Sequence, residues 1–101
     1  MTTSEDILKL HKNKVPIIID TSHSPCIQLE KSKYIVPRDI SVQQFHCIIN
    51  KYIHTNKKQS LILFINNILP VSSESIGNIY NEFKDKDGFL YITLRKENTF
   101  G

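Results

Sequence analysis

The run Phe89-Leu-Tyr-Ile-Thr-Leu94, launched by Asp87-Gly88 close to the carboxyl end, constrains this chain more than any other feature. In an extended strand alternate side chains face opposite ways, so Phe89, Tyr91 and Thr93 share one face and Leu90, Ile92 and Leu94 the other. Both faces read as covered, which predicts a strand central in its sheet. Beyond it the chain becomes charged and polar and closes on Phe100-Gly101. Glycine lacks a Cβ and can thread a narrow slot in backbone conformations closed to other residues. A central strand feeding a short tail that ends in glycine is therefore suited to presenting a carboxylate to another molecule.

A length of 101 residues gives one domain with a single two-layer core. The charge balance is mildly basic but uneven: nine basic residues face five acids in the first 58 positions, against four facing five in the remainder. Such a basic front half suits acidic peptide segments better than a polyanion. A nucleic-acid reading would rest on Lys9, Lys12, Lys14, Lys57 and Lys58, which a net charge of +3 supports poorly, and no nucleic-acid partner is expected. Cys26 and Cys47 have no paired spacing, and no signal peptide precedes them, which suggests a reducing, cytoplasmic setting. No apolar run approaches the roughly 18 residues of a membrane span, so attachment to a membrane would have to be covalent or through a partner.

Taken in order, Thr2-Thr-Ser-Glu5 reads as a capping box opening a short helix to about His11 or Lys12, with Ile7 and Leu10 facing in. Val15 to Ile19 is a β-branched strand with Pro16 near its start, and residues 20–32 read as a loop. Lys33 to Pro37 is a second strand, which Pro37 ends and marks as an edge. An unblunted edge is a place for a partner's strand. Ser41-Val-Gln-Gln44 is another capping box, opening a helix to about Ile53 whose buried stripe is Val42, Phe45, Ile49 and Ile53. Ser60 to Ile65 reads as a strand buried on both faces, turned by Asn66-Asn67. Ser72 or Ser73 is expected to cap a last helix to about Lys84, with Ile76, Ile79, Tyr80 and Phe83 inward. This order predicts an α+β fold: a four-stranded mixed sheet over a long helix, first and last strands parallel in the middle, the β-grasp arrangement of ubiquitin-like proteins. The expected divisions are a short amino-terminal helix over 1–14, the ubiquitin-like domain over 15–96 and a flexible tail over 97–101.

Several stretches resemble one family. They are Lys33-Tyr-Ile-Val-Pro37, Asp39-Ile-Ser-Val-x-Gln-Phe45, Leu63-Phe-Ile-Asn-Asn-Ile-Leu-Pro70, Ile79-Tyr80 with Lys84-Asp-Lys-Asp-Gly-Phe-Leu-Tyr91, and the closing Glu97-Asn-Thr-Phe-Gly101. Together they are similar, over roughly residues 7–101, to the GABARAP-type ubiquitin-like modifiers of autophagy. The resemblance implies chemistry done on the chain, which is no enzyme itself and needs no cofactor. An activating enzyme would adenylate Gly101 and take it as a thioester, and a conjugating enzyme would pass it to phosphatidylethanolamine. A protease would process or deconjugate the terminus, with Phe100 read just before the glycine. The protein would then be cytoplasmic, and on autophagosomal or other organelle membranes after lipidation.

The same resemblance implies docking of receptor peptides that carry an aromatic residue, two spacers and an aliphatic residue, added as a strand beside Lys33 to Pro37. Matched residue by residue, the aromatic pocket is Ile7, Pro16, Ile18, Lys33, Ile35 and Phe89. The aliphatic pocket is Tyr34, Val36, Pro37, Ile40, Phe45 and Ile48. Lys14 and Lys33 stand where the family keeps basic residues for acidic flanks. Two departures stand out: only one helix fits before Val15 where the family usually has two, and Asn50-Lys51-Tyr52 replaces a basic run on the long helix. Alternatives are a modifier joined to a protein lysine, or a peptide-binding adaptor that is never conjugated. His23 with Cys26, or His46 with Cys47, lacks the paired spacing of a metal site, and Cys47 reads as a small core filler.

Overall fold

The computed structural model describes residues 13–22, 27–54 and 61–96. The expected amino-terminal helix with Ile7, the pair His23 and Cys26, and the tail with Phe100 and Gly101 lie outside them, except that Asn13 is a turn and Lys14 opens the first strand. Six strands and two helices follow: β1 Lys14–Asp20, β2 Gln28–Leu29, β3 Lys33–Pro37, α1 Val42–Asn50, β4 Ile53–His54, β5 Leu61–Phe64, α2 Ile76–Phe83 and β6 Leu90–Lys96. The main sheet has the order β3-β1-β6-β5, and β2 pairs with β4 in a small second sheet. β1 and β6 are parallel and central, with Ile17 opposite Leu90, and β3 and β5 run antiparallel at the two ends. This is the mixed sheet that the order of elements predicts.

One face of the sheet forms the core. Val15, Ile17 and Ile19 of β1 lie beside Leu90, Ile92 and Leu94 of β6, and against them pack Phe45 and Ile49 of α1 and Ile76, Ile79 and Tyr80 of α2. Pro16 fits within β1 for a reason of direction. Ile19 N–H bonds toward β3, to Ser32 O, so by alternation the missing amide of Pro16 would point the other way. On that side the β6 register begins one residue later, at Ile17, and no ladder bond is lost.

The two helices cap each other. At α1, Val42 N–H bonds Glu74 O, Gln43 N–H bonds Ser72 O, and Gln44 N–H bonds Ser41 Oγ. At α2, Ile76 N–H bonds Ile40 O, Gly77 N–H bonds Arg38 O, and Asn78 N–H bonds Ser75 Oγ. Each helix thus satisfies its first three orphan donors with carbonyls of the segment preceding the other, plus one serine of its own. The Ser41 capping box forms as expected, with Ser41 N–H bonded to Gln44 Oε1.

Four local expectations are corrected. The α2 cap is Ser75, because Ser72 and Ser73 sit in a turn closed by Glu74 N–H to Val71 O, from which the carbonyls of Ser72 and Glu74 serve α1. α1 stops at Asn50, since Tyr52 N–H closes back on Ile49 O and β-branched Ile53 pairs with Leu29 instead, which puts a short strand into the presumed loop 20–32. β5 alternates, with Leu61 and Leu63 buried and Ile62 and Phe64 half-covered, as befits a strand at the sheet's end. β6 is likewise covered on one face alone at Tyr91, which is 39% exposed. Asn66 and Asn67, with φ of 51° and 63°, make the expected turn with paired left-handed residues.

Gly77 sets the closest approach of α2 to the chain beyond β3. A Cβ there would meet Arg38 Cβ at 2.9 Å and Arg38 O at 3.0 Å. Gly77→Ala is therefore expected to lower the unfolding free energy by about 1–3 kcal/mol, as overpacking does, despite the gain of about 1 kcal/mol that alanine has over glycine inside a helix. Chemical denaturation checks this, and an unchanged or raised midpoint would contradict it.

Candidate functional site

β3 lies at one end of the sheet, and its pairing with β1 fixes which backbone groups are free. Ser32 O accepts from Ile19 N–H at 2.8 Å and Arg38 N–H donates to Asn13 O at 2.9 Å. In an antiparallel ladder the inward-bonded residues alternate, so Tyr34 and Val36 also turn their groups to β1. The N–H and C=O of Lys33 and Ile35, and the carbonyl of Pro37, then point outward from the sheet.

Side chains alternate too, and they divide the anticipated site between two faces. On the outer face, away from the helices, lie Pro16 and Ile18 of β1, Lys33 and Ile35 of β3, and Phe89 at the start of β6. The Lys33 ammonium stands 5.1 Å from the centre of the Phe89 ring, Ile35 is 36% exposed, and Pro16 is buried. Of the anticipated aromatic pocket these five share one face, and Ile7 lies outside the described residues.

On the helix face Tyr34 and Val36 are buried, and Tyr34 meets Phe45 edge-on at 5.8 Å between ring centres. Ile40 and Ile48 are half-buried beside them and Pro37 is exposed. The anticipated aliphatic pocket is thus a floor of three core side chains, Tyr34, Val36 and Phe45, walled by Ile40 and Ile48, while Pro37, at the end of β3, has the outer-face parity of Lys33 and Ile35. Lys14 is exposed at the start of β1, where Asn13, Lys14, Pro37, Arg38 and Asp39 line a cavity of about 330 Å³.

Two participants were not anticipated. Lys31 lies 5.3 Å from the Tyr34 ring centre and 5.6 Å from that of Tyr52, where a cation is attracted by the ring faces. Arg38 stands 5.5 Å from the Tyr80 ring centre and donates to Asn81 Oδ1 at 3.2 Å. Arg38 depends on an aromatic partner distant in sequence, and Lys31 on the distant Tyr52 as well as on nearby Tyr34, pairings that no local pattern reveals. Cys47 is exposed, correcting its assignment to the core, because it lies on the side of α1 opposite Phe45 and Ile49. Among the described residues no cluster of three or more His, Cys, Asp or Glu could hold a metal, and no helix is long and apolar enough to cross a membrane.

Comparison with known proteins agrees with this fold. The family described as "Autophagy protein Atg8 ubiquitin like" matches residues 1–101. The chain belongs to the Atg8 family. It is 40% identical over 101 residues to Autophagy-related protein 8 of Vanderwaltozyma polyspora, covering 99% of this chain and 86% of the relative. The crystal structure of Trypanosoma brucei ATG8 superposes with a TM-score of 0.84 at 31% identity, over 97% of this chain and 85% of the other. Plasmodium falciparum Atg8, solved in complex with a Plasmodium falciparum Atg3 peptide, gives 0.82 at 26% identity, over 94% and 85%.

Within this Atg8-family fold the Tyr34 hydroxyl is buried and has no hydrogen-bond partner among the described residues. Burial foremost, then the nearby Tyr52 and Glu30, raises its pKa from 10.0 to about 12. An unsatisfied buried polar group costs about 1–3 kcal/mol, so Tyr34→Phe is expected to leave stability unchanged or raise it by about 1 kcal/mol. Because the folded pKa is raised, the group's contribution is complete below pH 10 and is lost as pH climbs through about 12. The variant should therefore lose less stability over that alkaline range, as followed by denaturation at stepped pH. A substantially destabilised Tyr34→Phe would reveal a partner for the hydroxyl.

Proposed function

We propose that this ubiquitin-like autophagy protein is joined through Gly101 to phosphatidylethanolamine and docks receptor peptides of the aromatic-x-x-aliphatic kind on the outer edge of β3. The observation that carries the docking reading is the division of the site between two faces. Residues three apart in a strand point to opposite sides. A peptide paired with Lys33 and Ile35 therefore lays its aromatic anchor on the outer face, against Pro16, Ile18, Ile35 and Phe89. It turns its aliphatic anchor to the helix face, between Ile40 and Ile48, near the end of β3 at Pro37. Three residues of strand advance about 10 Å, and the aromatic pocket lies toward Lys33 while the aliphatic one lies toward Pro37, so the peptide runs parallel to β3. Main-chain bonds supply affinity and the two pockets supply selectivity. Lys14 and Lys33 offer charge to acidic flanks, adding mostly to association rate.

The conjugation reading draws on the terminal Phe100-Gly101 and on the family's membership. Activating and conjugating enzymes would act on this tail and a protease would release it. The peptide bound to the Plasmodium relative fits that reading, being an Atg3 peptide on an Atg8. On this reading the chain is a substrate and adaptor rather than a catalyst, and moves from cytoplasm to autophagosomal membrane when lipidated.

Incubation with activating and conjugating enzymes, ATP and phosphatidylethanolamine vesicles should yield a lipid adduct that Gly101→Ala abolishes. An adduct surviving that change, or mass spectrometry finding Gly101 on protein lysines, would refute lipid attachment through it. For docking, Ile35→Glu should weaken an aromatic-x-x-aliphatic peptide at least about tenfold and Ile48→Ala by about 1–2 kcal/mol, with the fold retained. Unchanged affinity in both would remove β3 as the docking strand.

A further inference from the structure

The strand directions sort the chain's charge between two ends. β1 and β6 are parallel, so Asp20 and Lys96, their last residues, lie at the same end. β3 and β5 run the other way and begin there, at Lys33 and Leu61. α1 also finishes there, since Glu30 N–H bonds Tyr52 O and the Tyr52 ring meets that of Tyr34 at 5.6 Å. Of the described residues, this end holds the basic Lys31, Lys33, Lys51 and Arg95 against the acidic Asp20 and Glu30.

The opposite end is reversed. α2 lies there, its first amides bonded to Ile40 O and Arg38 O, and its end leads into the start of β6. The acidic residues of that end, Asp39, Glu74, Glu82, Asp85 and Asp87, outnumber its four basic ones, Lys14, Arg38, Lys84 and Lys86. The described charged residues fall into one group or the other, and among them charge is divided along the strand axis.

The geometry points to a membrane-facing function for the basic end: we propose that it binds the anionic phospholipid headgroups of the bilayer on which the chain is displayed. The inference rests on the conjugation reading for the tether. The five residues after Lys96 span at most about 17 Å of extended chain, so an anchor at Gly101 holds this end close to the lipid surface. At physiological ionic strength the surface potential of an anionic leaflet decays over about 8 Å. Charge at the tethered end can feel that potential, whereas charge at the far end is screened. The covalent lipid would supply attachment, and the basic end would supply orientation and a preference for anionic leaflets.

The test uses the unconjugated full chain, sedimented at low salt with vesicles of phosphatidylcholine alone or with about one third phosphatidylserine. Binding is expected on the anionic vesicles and should fall steeply as salt is raised. The double change Lys31→Glu with Lys51→Glu should lower partitioning about tenfold or more. The matched change Lys84→Glu with Lys86→Glu, equal in net charge, should lower it less than about twofold. Circular dichroism and chemical denaturation confirm that each variant is folded. Equal losses in the two variants would show that only net charge matters and overturn the proposal, as would equal partitioning on neutral and anionic vesicles. No conjugating enzyme enters the assay, so a failure here leaves the conjugation reading standing, and a failed conjugation leaves this result readable.

Discussion

The parallel pairing of β1 with β6 is the contact on which the rest of the structure depends. It joins segments more than seventy residues apart, and loop closure over such a distance is entropically costly until the core side chains meet. Ile17, Ile19, Leu90 and Ile92 interlock across that pair and are essentially removed from solvent. With the centre fixed, β3 and β5 can only add outside it. One consequence is that the sheet keeps two open ends, and one of them is the candidate site.

The helices depend on one another in a second way. Neither the segment before α1 nor that before α2 would present its carbonyls usefully alone, since each serves the amides of the other helix. Gly77 belongs to this arrangement, because a side chain there would push α2 off the backbone at Arg38. The Tyr80 hydroxyl, donating to Gly88 O at 2.6 Å, then ties α2 to the turn that launches β6. Helix position and strand entry are thereby coupled through backbone contacts rather than through charge.

Much of this was legible in the sequence because it is written locally. Alternation, β-branched runs, Pro37, the Ser41 box and the Asn66-Asn67 turn each act within a few residues, and they located the central strands, the edge and the long helix. What escaped was set by distant partners. Ser75 takes the cap from Ser72 and Ser73 because their turn is committed to α1, and Ile53 leaves the helix because β2 offers it a strand. The division of the site between two faces follows from residue parity and could have been read. Lys31 against Tyr52 could not, since that contact exists only once β3 and α1 are side by side.

The outward groups of β3 are main-chain atoms, the same in every polypeptide, and this bears on how much a docked segment has to specify. In the proposed docking, backbone partners would leave the two spacer positions nearly unconstrained, and the recognised information would reside in two side chains and a sign of charge. A code that short arises readily in unrelated sequences and gives modest affinity with rapid exchange, which favours tandem or clustered ligands over single ones.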